Sequence, residues 1–110
     1  MSDLAREHCR EYPPGTPTLG EDEAAELHRQ VPEWDREGVR ALRREFSFDD
    51  FNAAFGLVAR VALLCEAESH HPEIELAWGR AAFRTWTHTA RGLSRNDFIL
   101  AAKIDLLAPA

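Results

Sequence analysis

The sequence predicts an α+β fold, a single four-stranded antiparallel sheet with three helices on one face in the order α-β-β-α-β-β-α. Three observations predict it. Two pairs of strand-like segments are each joined by a glycine turn, at Glu37-Gly38 and at Gly79-Arg80. A long stretch of helical periodicity lies between the pairs, and a shorter helical segment sits at each end. The chain has 110 residues, which suffices for one hydrophobic core and not for two.

Residues 1–18 read as a loosely held lead-in to a domain spanning 19–110. Pro13, Pro14, Gly15 and Pro17 exclude a regular helix or central strand there. The first helix is expected over Glu21–Gln30, with Gly20 as N-cap, three acids in the first turn and Pro32 as its stop. Trp34-Asp35-Arg36 and Val39–Phe46 form the first hairpin. Leu42, Phe46 and Phe48 share one side of its second strand, and Arg44 interrupts that side.

The long helix is expected to start at an N-cap Ser47 with Asp50 at its third position, and Phe46 packs on Phe51 as a staple. Phe51, Phe55, Val58, Ala62 and Cys65 recur at helical spacing as the face that lies on the sheet. The helix runs out near Ser69, and Pro72 forces His71 out of helical geometry. Ile74, Leu76 and Trp78 alternate as a half-buried strand, with Ala81–His88 as its partner. Ser94 caps the last helix, Leu93 can staple to Phe98, and Ile99, Ala102 and Leu106 give that helix a face.

Bulk properties exclude several classes. The formal net charge is −6 and no basic stripe is present, which argues against a nucleic-acid surface. No apolar run approaches the length of a membrane span, and the start Met1-Ser2-Asp3-Leu4 lacks the apolar segment of a secretory signal. Cys9 and Cys65 are expected as free thiols in a reducing cytoplasm. A core this thin also makes association of identical chains an expectation.

Chemistry-bearing residues concentrate in the second half: Glu66, His70, His71, His88 and Asp97. Histidine titrates near neutrality, so a cluster of them suits proton transfer or metal binding. Glu66 and His70 are four apart on one helix face. The histidine pair sits where a helix hands over to a strand, beside the end of the following hairpin that carries His88. Asp97 lies in the first turn of the last helix, where a carboxylate is also an ordinary cap. A three-ligand metal site from Glu66, His70 and His88 is a second reading, although no HxH or HExxH spacing is present. There is no Gly-x-Ser-x-Gly elbow and no glycine-rich phosphate loop.

At these residues the chain resembles the pterin-4a-carbinolamine dehydratases. Glu66, His70-His71-Pro72, Trp78, His88 and Asp97 fill the family's spaced pattern. The flanks are similar too: Gln30-Val31-Pro32-Glu33-Trp34, Phe46 to Asn52, Thr87-His88 with Gly92-Leu93-Ser94, and Leu100 to Asp105. The resemblance covers about Glu21 to Leu107.

It implies an enzyme that expels water from 4a-hydroxytetrahydropterin and yields quinonoid dihydropterin, recycling the pterin of aromatic amino acid hydroxylases without a metal or organic cofactor. His70, His71, His88 and Asp97 would be catalytic, with His71 chiefly holding the substrate. Glu66, Ser69, His71, Trp86, Thr87 and Thr89 would contact the pterin. Glu66 would orient a histidine, Asp97 would position His88 or its loop, and Trp86 would pack on the pterin ring. A homodimer or homotetramer and a link to phenylalanine hydroxylase are implied as well. The resemblance also leaves open a non-catalytic interaction module on the same fold, acting as a transcriptional cofactor or an assembly factor.

Overall fold

The computed structural model of the chain describes residues 3–109; Met1, Ser2 and Ala110, the outermost residues of the expected lead-in and domain, lie outside it. Helix α1 spans Glu21–His28, β1 Asp35–Glu37, β2 Ala41–Ser47, α2 Phe51–Glu68, β3 Glu73–Ala77, β4 Arg80–Thr85 and α3 Arg95–Leu107. Short 3-10 turns at Asp3–Arg6 and His88–Ala90 complete the chain. The sheet is antiparallel throughout, in the order β1-β2-β4-β3. The expected α+β architecture and element order are therefore the observed ones.

The register explains the two faces of the sheet. Leu42 pairs with Thr85, Arg44 with Phe83 and Phe46 with Ala81, while Ile74 and Leu76 continue the same rows on β3. Leu42, Phe46, Ala81, Phe83 and Thr85 are buried beneath the helices. Arg44 shares this side. Its guanidinium is held by Asp105 of α3 at 2.7 Å and lies 4.3 Å from the centre of the Phe46 ring. Asp105 also accepts the Trp34 indole N–H at 2.9 Å, so one carboxylate ties α3 to β2 and to the loop before β1. The opposite face is a lattice of alternating charge. Arg43 meets Glu45 and Glu75, Arg80 meets the same two glutamates, and Arg84 meets Glu37 and Glu73.

Three local expectations are revised. Helix α2 is capped by Asp50, whose side chain accepts the Ala53 N–H at 2.8 Å, rather than by Ser47. Phe48 N–H donates to Gly79 O at 2.8 Å, which extends sheet pairing past Ser47 and delays the helix. Gly79 makes this turn with φ +72°, and a Cβ there would come within 3.0 Å of Phe48 O.

The second revision follows from that delay. The core face of α2 is Ala54, Leu57, Val61 and Cys65, whereas Phe51 and Phe55 are about half exposed. Cys65 of the expected stripe is on this face and Val58 packs against it, whereas Phe51, Phe55 and Ala62 are exposed, because α2 carries apolar residues on two faces.

Third, α3 is buried far beyond one stripe. Eight of its residues, from Asn96 to Ile104, are buried, and Leu106 is 62% exposed. The helix is enclosed by α2, the sheet, α1 and the turn at Asp3–Arg6. The lead-in thus supplies contacts its sequence did not announce. Leu4 is fully buried in the core, and Lys103 Nζ donates to Ala5 O at 3.0 Å. At the other edge of the sheet, Ile74 on β3 is exposed, and Trp78, expected in the strand, lies in the turn after it and is 72% exposed.

Candidate active site

The site forms where the end of α2, the end of β4 and the start of α3 meet. Helix α2 stops at Ser69, which adopts a left-handed conformation (φ 54°, ψ 38°) while His70 N–H returns to Cys65 O at 3.3 Å. A non-glycine residue in this region is strained by roughly 1 kcal/mol. The reversal turns His70 inward, where it is 9% exposed, and sends His71 to the surface before Pro72.

His70 meets Asp97. Its Nε2 lies 2.7 Å from Asp97 Oδ1, and the carboxylate is completely buried. The same oxygen accepts Thr85 Oγ1–H at 2.7 Å. Oδ2 accepts Thr87 Oγ1–H at 2.8 Å and the Ser94 backbone N–H at 3.0 Å. An ionised carboxylate only accepts, so Nε2 is the protonated nitrogen of His70. Its Nδ1 is left with a lone pair in the neutral ring. Ser94 caps α3 and Asp97 completes the capping box, so the cap and the histidine partner are one residue. The backbone is again extended at Thr87, beyond the end of β4 at Thr85, and both threonine hydroxyls reach the Asp97 carboxylate.

His88 is held differently. The chain leaves the sheet at Thr85, and His88 opens the 3-10 turn His88–Ala90 instead of ending a strand. The turn is closed by paired hydrogen bonds between Thr87 and Gly92. Gly92 is required there, because a Cβ would come within 2.6 Å of Val39 O. The His88 ring packs on Trp86 with centroids 4.9 Å apart at a tilt of 45°, and the Arg84 guanidinium lies 4.9 Å from the centre of the Trp86 ring. Two Glu37 hydrogen bonds of 2.9 and 3.0 Å anchor Arg84 in turn.

A cleft of about 830 Å³ opens between these elements. Of the residues expected at the site, Ser69, His70, His71, Thr87, His88 and Thr89 line it, and Asp97 stands directly behind His70. Glu66 and Trp86 do not line it. Glu66 engages His71 at 2.5 Å rather than His70, and Trp86 braces His88. Asp97 is bonded to His70, not to His88. The proposed metal triad is not assembled: among the described residues no three His, Cys, Asp or Glu side chains converge as ligands. No helix among them is long and apolar enough to cross a membrane.

Sequence reasoning missed one whole wall. Residues 9–14 of the lead-in line the cleft together with Glu68 and Asn96. Glu68 Oε1 accepts the Cys9 N–H at 2.7 Å, and Oε2 lies 2.8 Å from His8 Nδ1. Asn96 brackets Arg10, accepting its N–H at 3.0 Å and donating to its carbonyl at 2.6 Å. Glu7 and Arg95 form a two-point ion pair at 2.7 and 2.6 Å. Burial opposes ionisation of Glu68, yet the Cys9 N–H, His8 and Lys103 outweigh it and hold its carboxyl below the ordinary range. Burial and the nearby Glu68 carboxylate push the Cys9 thiol up to about 12, and burial pushes Cys65 up to about 11. Both cysteines are free and neither is a nucleophile at neutral pH. The polar, aperiodic run Glu7–Tyr12 carries no signal that would have placed it here.

With the geometry described, comparison with known proteins is informative. A model of the family described as "Pterin 4 alpha carbinolamine dehydratase" matches residues 17–107. The chain is 42% identical to the protein of Gloeobacter violaceus named "Putative pterin-4-alpha-carbinolamine dehydratase 1", over 96% of this chain and 93% of that one. It is also 42% identical to a similarly named protein of Rubrobacter xylanophilus, over 97% of this chain and all of that one. A crystal structure titled as a transcriptional coactivator/pterin dehydratase from Brucella melitensis superposes with a TM-score of 0.77 at 35% identity, covering 84% of this chain and 99% of that one. The chain belongs to the pterin-4a-carbinolamine dehydratase family.

Two outcomes are expected. Asp97→Ala leaves four buried donors without an acceptor and should cost about 3–5 kcal/mol in urea unfolding, whereas exposed Glu66→Ala should stay within about 0.5 kcal/mol. Because the folded-state value of Glu68 lies below its unfolded value, its contribution is present at neutral pH and is lost as acid protonates the folded carboxyl. Glu68→Gln should therefore lower thermal stability at neutral pH, and the gap to wild type should narrow in melts taken below the ordinary glutamate range.

Proposed function

We propose that the protein is a 4a-hydroxytetrahydropterin dehydratase working by histidine acid–base catalysis. The observation that carries the reading is a cleft-facing histidine, His70, fixed by a buried carboxylate and accompanied on the same cleft by His71 and His88.

The reaction removes the hydroxyl at C4a and the proton at N5, so that a C4a=N5 double bond forms and water leaves. Hydroxide is a poor leaving group and needs an acid, and the N5 proton needs a base. His70 is suited to the base, since its Nε2–H is committed to Asp97 and its Nδ1 lone pair remains. Asp97 would stabilise the imidazolium that forms. His88, exposed at the rim and braced by Trp86, would donate a proton to the leaving hydroxyl. His71, tethered by Glu66, would hold the pterin along with Ser69, Thr87 and Thr89. The chemistry assigns no step to a metal or organic cofactor. Each histidine should contribute roughly a hundred- to ten-thousandfold.

The physiological reading is recycling of the pterin used by an aromatic amino acid hydroxylase, such as phenylalanine hydroxylase, in the cytoplasm. A homodimer or homotetramer is part of the proposal. Its support is the second apolar face of α2, where Phe51, Phe55, Ala62 and Leu63 are all exposed. That row also supports the runner-up reading, a non-catalytic interaction module. Retention of the His70–Asp97 arrangement favours the enzyme.

Stopped-flow decay of freshly made 4a-hydroxytetrahydropterin tests the activity. His70→Ala and His88→Ala should each lower kcat by about two to four orders of magnitude, with unfolding midpoints close to wild type. Wild-type rates equal to the uncatalysed decay would remove the enzyme reading. Sedimentation velocity should return a dimer or tetramer, and the double variant Phe51→Ser, Phe55→Ser should shift it to a smaller species if α2 is the contact. A wild-type monomer at micromolar concentration would refute the assembly.

A further inference from the structure

We infer that the amino-terminal arm is a substrate-binding wall of this cleft, with Arg10 and Tyr12 contacting the part of the pterin that does not react. The inference rests on the dehydratase reading and deepens it.

The arm is fastened at several independent points. Leu4 anchors it in the core, and the Glu7–Arg95 pair fixes the next segment. Glu68 and Asn96 then hold the backbone of Cys9 and Arg10. Those two clamps are placed tellingly. Glu68 precedes His70 by two residues on the same chain reversal, and Asn96 immediately precedes Asp97. The elements that orient the histidine therefore also orient the arm, so wall and catalytic group have a fixed relation.

Beyond these clamps the side chains face a cavity. Arg10, Glu11 and Tyr12 line the same cleft as His70, His71 and His88. The Arg10 guanidinium lies 5.2 Å over the Tyr12 ring, which holds the two side chains together at the cleft. Tyr12 is only partly buried by the rest of the chain. A flat heterobicycle whose C4a–N5 edge meets the histidines must present its remaining surface to whatever else bounds the cleft. A planar ring and a guanidinium suit that surface by stacking and hydrogen bonding.

The family match begins at residue 17, after this segment, whereas the Gloeobacter and Rubrobacter relatives align over 96% and 97% of the chain. The family match thus starts after the wall, while these two relatives align with the chain across it.

Contacts that hold substrate and transition state equally well act on KM and leave kcat unchanged, and the arm is assigned contacts of that kind. Tyr12→Ala and Arg10→Ala should each raise KM for 4a-hydroxytetrahydropterin by about tenfold while kcat stays within about twofold. Titration of the stable product analogue 7,8-dihydrobiopterin, followed by intrinsic fluorescence, should show the same weakening. Arg6→Ala, exposed on the arm but away from the cleft, should leave both quantities unchanged. Unchanged KM and unchanged analogue affinity in the Tyr12 and Arg10 variants, with wild type active, would overturn the wall alone. An equal loss in the Arg6 variant would overturn it too, by showing a general effect on the arm. Wild type without dehydratase activity and without analogue binding would overturn both this inference and the reading it rests on. Full-length protein is used throughout, because removing the arm would also remove Leu4 from the core.

Discussion

The structure depends on one buried carboxylate. Asp97 is fully buried and accepts four hydrogen bonds, from His70, Thr85, Thr87 and the Ser94 backbone. An ionised carboxylate without partners could not remain in that position, since its desolvation costs several kcal/mol even after relaxation. Hydrogen bonds to a charged group each return roughly 1.5–3 kcal/mol, so the set of four offsets the burial. The donors come from the end of α2, the end of β4 and the loop that opens α3. Satisfying Asp97 therefore forces those three segments to converge, and the cleft lies where they converge. Cap, fold junction and histidine support are the same interaction.

The rest of the molecule can be understood as two layers serving that junction. The inner sheet face is apolar and is closed by α2 and α3, with Arg44 tolerated there because Asp105 neutralises it. The outer face carries a lattice of arginine and glutamate pairs on neighbouring strands. Exposed pairs of this kind contribute little individually. Their mixed sign keeps a wide sheet face solvated, and one of them fixes Arg84, which lies over the Trp86 ring that His88 contacts. His70 and His88 are thus held by different means: His70 by a buried hydrogen bond, and His88 by contact with the Trp86 ring.

Much of this was legible in the chain. Turn glycines, strand alternation and helix caps indicated the order of elements, because each rests on interactions within a few residues. The capping role of Asp97 was readable for the same reason, and its nearness to His70 was expected from the same spaced pattern. The pairing partners were not. Glu66 and His70 share a spacing that suggests contact, but the left-handed turn at Ser69 rotates His70 inward and leaves Glu66 to His71. Phe51 and Phe55 were expected on the core face of α2 because they are the larger apolar residues, while smaller Ala54 and Val61 beside Leu57 fit the space above the sheet.

The sequence by itself determined the fold class, the family and the histidines that gather at the cleft, since these follow from local propensity and from motifs with fixed spacing. Tertiary structure alone decided which histidine the buried carboxylate serves, and that Thr85 and Glu68 take part. It also made a proline-bounded lead-in without periodicity a wall of the cleft. The physical reason is the same in each case. These are contacts between residues tens of positions apart, and they exist because buried polar groups must find partners wherever the folded chain supplies them.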